Sequence, residues 1–301
     1  MKKVIIISGA TCSGKTALAI NLALQLNTEI ISADSRQIYK EIPIGTAQPT
    51  ETELAKVKHH LTGFLSVKDD YNAGQFERDA LAIIKDLFKN HNYVIVCGGT
   101  GLYINALING FDEIPETDPE IRNELEYRLQ NEGLISLQQE LQLRDPEYAQ
   151  IIDLSNPQRI IRALEVCIET GRPYSIFRLG KKASRDFDYI YYALQPERVE
   201  LYNRINNRVH KMMESGLINE AEKMLPYRNF NALKTVGYSE LFQYFDKAIT
   251  IDVAIDKIKQ HTRNYAKRQV TWLRKQPDLI PLPSETPETY ILNDIKQKEL
   301  Q

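Results

Sequence analysis

The segment Gly9-Ala10-Thr11-Cys12-Ser13-Gly14-Lys15-Thr16 constrains this chain more than any other stretch. It follows the apolar run Val4-Ile5-Ile6-Ile7 and leads into a helical pattern from Ala17 to Leu26. That is GxxxxGK[ST] between a buried strand and a helix, the setting a phosphate-binding loop requires. The glycines let successive backbone N–H groups converge on one cavity, and the following helix adds its positive dipole end. Lys15 brings a mobile cation to the phosphates, and the Thr16 hydroxyl can complete a Mg²⁺ shell. A plain glycine turn is the alternative, and the lysine, hydroxyl and flanks together oppose it. The loop binds a di- or triphosphate and leaves its owner open.

At 301 residues the chain has room for about two domains. No apolar segment follows Met1-Lys2-Lys3 that would serve as a signal peptide or membrane span. Cys12, Cys97 and Cys167 are scattered without a CxxC pair, which argues against a zinc finger and fits a reducing cytoplasm. Each reads as a small buried residue, with an accessible thiol the alternative for Cys12 inside the loop. The net charge is −2, so any nucleic-acid role must rest on local basic patches.

Glu29 to Ala33 reads as a second short strand, delivering Asp34-Ser35-Arg36-Gln37 at its C-terminal end, where α/β sheets place ligands. Residues 42–49 read as a loop, and helical spacing runs from Gln75 to Lys89. Tyr93 to Cys97 is a third buried strand, ending in Gly98-Gly99-Thr100-Gly101. Amphipathic helical patterns then replace strands, with starts at Asp118-Pro119 and Asn156-Pro157, until Tyr189 to Leu194 restores a strand. The expected fold is α/β: a P-loop NTPase-like parallel sheet core with a helical insertion domain and a helical C-terminal part. The core takes 1–112 and 187–301, and the insertion 113–186. The helix from Arg198 to Glu214 carries Arg204 and Arg208 on one face. The last long helix, about Val253 to Lys275, has seven Lys/Arg and no acid from Lys257 onward, with Tyr265 and Trp272 among them. A solvated face is the ordinary reading of such a run; aromatics within a single-signed stretch favour a phosphate-backbone surface. The tail after Pro281 reads as loosely ordered.

Nucleotide-hydrolysing P-loop enzymes commonly place a magnesium-holding Asp at the end of a later strand. Here that strand ends in Cys97-Gly98-Gly99-Thr100, and the acid stands instead at Asp34. A carboxylate beside a phosphate cradle suits a general base for a second substrate, although Asp-Ser also caps helices. His59 and His60 have no third ligand at metal spacing and read as polar structural residues. A small-molecule kinase and a non-catalytic RNA-binding protein remain open on these residues alone.

Nearly the whole chain resembles the bacterial tRNA dimethylallyltransferases, or tRNA isopentenyltransferases. The resemblance lies in GATCSGKT from Gly9, SADSRQIY from Ser32, IGTAQPT from Ile44 and GGTGLYI from Gly98. It continues in NPQRIIRALEVCIETGRPYS from Asn156, VGYSEL from Val236 and AKRQVTWLRK from Ala266. It implies transfer of a dimethylallyl group from dimethylallyl diphosphate to N6 of the adenosine beside the tRNA anticodon. Gly9, Ala10, Thr11, Cys12, Ser13, Gly14, Lys15 and Thr16 would then hold the diphosphate leaving group rather than ATP. Thr16 would hold Mg²⁺, and Arg208, with Arg204 second, would reach the diphosphate. Asp34 matches the family's base and Thr100 a hydroxyl near the reacting amine. Ser35, Arg36 and Gln37 match tRNA contacts, Arg36 standing where the family usually has Met. Arg122, Gln158, Arg159, Ile160, Ile161 and Arg162 match the insertion's grip on the anticodon loop. Each arginine there has a surface ion pair as its alternative, with Glu165 a nearby partner. Lys267, Arg268 and Arg274 would track the phosphate backbone. A cytoplasmic monomer with tRNA and dimethylallyl diphosphate as partners, and no membrane, is the expectation.

Overall fold

Val4 to Ile7 is apolar at every position because both faces of its strand are covered. That strand, β1 (Lys3–Gly9), is buried throughout, as are β2 (Ile30–Ser32) and β4 (Tyr93–Gly98). With β3 (His59–His60), β5 (Asp188–Leu194) and β6 (Leu279–Leu282) they form one six-stranded sheet in the order β3-β2-β4-β1-β5-β6. All its pairings are parallel. Alternation assigns Val4 and Ile6 to one face, against Phe76, Ala80, Ile84 and Tyr103. Ile5 and Ile7 take the other, against Leu18 and Leu22 of the helix Lys15–Gln25.

This is a computed structural model, and it describes residues 2–112, 114–178, 180 and 183–299. The chain forms two compact units, 1–108 with 184–301 and 109–183. The first holds the sheet. In the second, the helices Pro119–Asn131, Leu134–Arg144, Pro146–Ile151 and Pro157–Thr170 close over Leu125, Leu137, Leu141, Ile160, Ile161 and Leu164. Asp118, Asp145 and Asn156 start three of these helices by accepting backbone N–H bonds, each just before a proline.

Two expectations are corrected. The tail is ordered as far as Glu299, the last described residue: β6 pairs with β5, and the helix Pro287–Glu299 buries Ile291 and Ile295 against the β1 face. Two such side chains contribute roughly 3–6 kcal/mol as an upper bound, enough to dock a helix of that size. Residues 42–49, expected as plain loop, contain a helical turn, Pro43–Thr46.

Candidate active site

Sheet order decides which loops meet. Strands β2, β4 and β1 are consecutive neighbours, so their C-terminal ends bring Asp34, Gly98-Gly99-Thr100 and the phosphate loop side by side. The approach is close. Ala33 N–H donates to the Cys97 carbonyl at 2.8 Å and Thr100 N–H to the Ala33 carbonyl at 3.1 Å. A Cβ on Gly98 would stand 2.1 Å from the Ala33 oxygen, so only glycine fits there.

The helix Arg198–Glu214 lies against the phosphate loop, with Leu201 and Ile205 packed on Ala10 and Cys12. One helical face therefore presents 201, 205 and, beside them, both arginines. Arg208 donates to the Thr11 hydroxyl at 3.1 Å; Arg204 donates to the Ser13 carbonyl at 3.2 Å and pairs with Glu200. Cys12 is buried, like the other two cysteines, with a left-handed φ of 63°.

A pocket of about 600 Å³ opens beside these loops. Thr11, Lys15, Asp34, Ser35, Arg36, Arg208 and Arg268 line it. Gly9, Ala10, Cys12, Ser13, Gly14, Thr16, Gln37, Thr100, Arg204, Lys267 and Arg274 do not. Lys15, Thr16, Asp34 and Gln37 meet again in a small adjoining recess with Ser32, His59 and Cys97. Thr100 reaches the site indirectly, its hydroxyl accepting from Ser35 N–H at 2.9 Å. Gln37 is turned inward, its amide donating to the Ala47 carbonyl at 2.7 Å.

Asp34 accepts backbone N–H bonds from Arg36 and Gln37 through Oδ1, at 2.9 and 3.3 Å. Among the described residues Oδ2 makes no hydrogen bond, so one carboxylate serves as turn cap with an oxygen to spare. Burial pushes the Lys15 ammonium below its ordinary range, against the pull of neighbouring groups that include Asp34. Burial, reinforced by the Asp34 charge, pushes the Tyr265 phenol up to about 12. Cys97, behind Lys15, is likewise pushed up to about 12 by burial and stays a thiol.

The pocket lining holds Lys15, Arg36, Arg208, Lys234 and Arg268 against Asp34 and Glu240. Glu240 is itself committed, accepting from Gly237 N–H and pairing with His261. A chain of slight negative charge thus builds a locally cationic cleft. Asn264 and Arg268 also line a groove on the helix Ile251–Leu273, with Lys267, Thr271, Trp272 and Lys275. Arg274 is exposed and does not line that groove, which Lys275 does.

Sequence reasoning missed Lys234, Thr235, Val236, Gly237, His261 and Tyr265 as lining residues, and Glu220 beneath them. Buried Glu220 accepts from Ile44 N–H at 2.9 Å, Gly45 N–H at 2.8 Å and the Tyr238 hydroxyl. It thereby fixes the pocket wall Gly45-Thr46-Ala47. Val236 and Gly237 stand in the stretch VGYSEL and Tyr265 among the aromatics of the basic helix, whereas Lys234, Thr235, His261 and Glu220 carried no signal in the sequence.

In the insertion, Arg122 and Arg162 converge on buried Glu165 at 2.9 and 3.0 Å, and Arg122 also binds Gln158 and Glu126. Arg159 is exposed. Ile160 and Ile161 are corrected: both are fully buried in that unit's core and present no side chain to a partner, because helical period turns them inward.

Among the described residues no cluster of three or more His, Cys, Asp or Glu could hold a metal ion. The oxygen donors beside Lys15 are the Thr16 hydroxyl and the Asp34 carboxylate, which fits Mg²⁺ carried largely by water and a ligand's phosphate oxygens. Among the described residues no helix is long and apolar enough to cross a membrane.

A family model described as IPP transferase matches residues 37–276. The chain is 48% identical over 273 residues to the tRNA dimethylallyltransferase of Christiangramia forsetii, covering 91% of this chain and 90% of that one. A full-length tRNA isopentenylpyrophosphate transferase from Bacillus halodurans superposes with a TM-score of 0.72 at 35% identity, over 99% of this chain and 97% of that one. A eukaryotic dimethylallyltransferase acting on tRNA gives a TM-score of 0.81 at 27% identity, over 99% of this chain and 78% of that one.

Proposed function

The chain belongs to the tRNA dimethylallyltransferase family, and from that premise we propose how its residues carry out the prenyl transfer. The donor is dimethylallyl diphosphate and the acceptor is N6 of the adenosine 3′ to the tRNA anticodon. The supporting observation is one cationic pocket with Lys15 and Arg208 at the phosphate loop and Asp34 on the neighbouring strand end.

The donor's C1–O bond breaks and the N6–C1 bond forms, leaving diphosphate. Charge builds on the departing oxygens, where loop N–H groups, Lys15 and Arg208 stabilise it more than in the ground state. Arg208 is the diphosphate ligand; Arg204, committed to Glu200 and the Ser13 carbonyl, braces the loop. The N6 lone pair is delocalised into the ring, so its proton must be taken as the bond forms. Asp34 accepts it through Oδ2, while Oδ1 stays anchored to the Arg36 and Gln37 amides. Thr100 holds the Ser35 backbone beside that carboxylate. Mg²⁺, held by Thr16, supplies further charge neutralisation to the diphosphate when bound.

The target base must leave its stack to enter such a pocket, and the groove of Lys267, Arg268 and Trp272 tracks the adjoining backbone. Arg122, Gln158, Arg159 and Arg162 give the insertion its own basic surface for the anticodon loop. The protein works as a cytoplasmic monomer.

The test is incubation with Mg²⁺, unmodified tRNA and either dimethylallyl diphosphate or ATP, followed by nucleoside mass analysis. Dimethylallyl mass on adenosine appears only with the prenyl donor. Asp34→Asn loses about 10²–10⁴-fold in rate at unchanged tRNA affinity. Phosphate transfer from ATP without prenylation would remove the reading.

A further inference from the structure

Gln269 is a buried polar side chain whose amide is used at both ends. Its Oε1 accepts from the Thr11 N–H at 2.8 Å, and its Nε2 donates to the Gly99 carbonyl at 2.9 Å. Those two partners belong to different loops, the phosphate loop after β1 and the turn after β4. Below them the strands are locked by register, with Ser8 opposite Gly98 and the Ser8 hydroxyl donating to the Gly98 carbonyl at 3.0 Å. Beyond the last paired residues, Gln269 is a side-chain crosspiece that ties one loop to the other. The fit is tight: a Cβ on Gly99 would come within 2.4 Å of Nε2. Thr11 is held a second time, by Arg208 at its hydroxyl.

The Thr11 N–H is thus already paired, so Gln269 does not itself offer a donor to the leaving group. Its effect is geometric. One loop carries the leaving group, the other carries Thr100 next to Gly99, and displacement and proton transfer both depend on their separation.

We propose that Gln269 is a positioning residue that sets the distance between the phosphate loop and the Thr100 turn, and so governs the rate of transfer rather than the binding of either substrate. The proposal rests on the prenyl-transfer reading above. Misplacement of reacting groups by about 1 Å costs on the order of 10²-fold in rate.

The experiment uses the full chain with Mg²⁺, unmodified tRNA and dimethylallyl diphosphate. Gln269→Met keeps the volume and removes both hydrogen bonds; its expected result is a kcat lower by about 30–100-fold with both KM values within about threefold. Gln269→Glu adds a pH signature. As a neutral acid it can accept from Thr11 and donate to Gly99, and once ionised it has no proton for Gly99. Its kcat relative to wild type therefore rises as pH falls, which a packing role would not produce. A Gln269→Met enzyme with wild-type kcat overturns the inference, as does a raised tRNA KM at unchanged kcat. Equal losses in both variants at every pH, with a lowered Tm, also overturn it. A wild-type enzyme that moves no prenyl group overturns the functional reading instead.

Discussion

Arginines serve both units, and their partners differ. Beside the phosphate loop, Arg208 donates to a neutral hydroxyl, so its charge is left for whatever enters the pocket. In the insertion, Arg122 and Arg162 both neutralise Glu165, which is 1% exposed. The first arrangement stores positive potential at a ligand site. The second uses the same residue type to make a buried carboxylate tolerable, leaving only the outer part of each guanidinium for a partner. Arginine content read from a sequence therefore overstates the charge available to RNA in the insertion.

The largest effect that tests this contrast is at the loop. Lys15→Met should lower kcat by roughly 10²–10³-fold, and Arg208→Ala by about 10²-fold, with unfolding curves unchanged. Single-turnover transfer measures both. A loss of only a few-fold in Arg208→Ala would mean that its charge is no more available than that of Arg162. Next comes Glu165→Ala. Removing this carboxylate leaves two arginines facing each other in the insertion. The expected cost is about 2–3 kcal/mol in urea unfolding, discounted from the fully buried case because both guanidinium groups are part-exposed. A neutral outcome would make the pair an ordinary surface contact and erase the distinction.

The legible parts of the fold were those carried by short-range pattern. The loop, Asp34 and the Gly98–Thr100 turn are each attached to a strand whose apolar run announces it. The sheet order that gathers them was not legible, nor were the residues that close the pocket. Lys234 to Gly237, His261, Tyr265 and Glu220 belong to helices and turns whose packing against the loops is a tertiary matter. Ile160 and Ile161 lie in the core because one motif spans both exposed and core positions, and period rather than motif decides between them. The C-terminal tail after Pro281 was misread: β6 runs on to Leu282 and the helix Pro287–Glu299 follows. As the edge strand, β6 tolerates a residue without an N–H.

A smaller effect tests backbone tracking by the groove, whose Arg268 also lines the pocket. Changing Lys267 and Arg268 together to Ala removes two cations from the groove. The slope of log affinity for tRNA against log salt should become shallower by about 1.4–1.8. Titrations at several salt concentrations read this directly. The same double change in Arg122 and Arg162 should alter the slope less, because Glu165 already cancels part of their charge. Equal slopes would break the comparison.

The smallest effect, and the one that sharpens it most, is the pH dependence of diphosphate binding. Burial lowers the Lys15 pKa in the free protein, and a polyanion raises it again by favouring the ammonium. Below the free-protein value Lys15 is already charged, so binding takes up no proton there. As pH rises through that value, each binding event must protonate Lys15, and affinity falls by up to tenfold per pH unit until the bound-state value is reached. Diphosphate titrates too, so the comparison is with Lys15→Arg, whose charge does not change over this range. The ratio of wild-type to Lys15→Arg affinity, measured by calorimetry, should be flat at low pH and decline above the Lys15 pKa. A ratio that stays flat throughout would mean that Lys15 carries its charge as securely as Arg122 does beside Glu165.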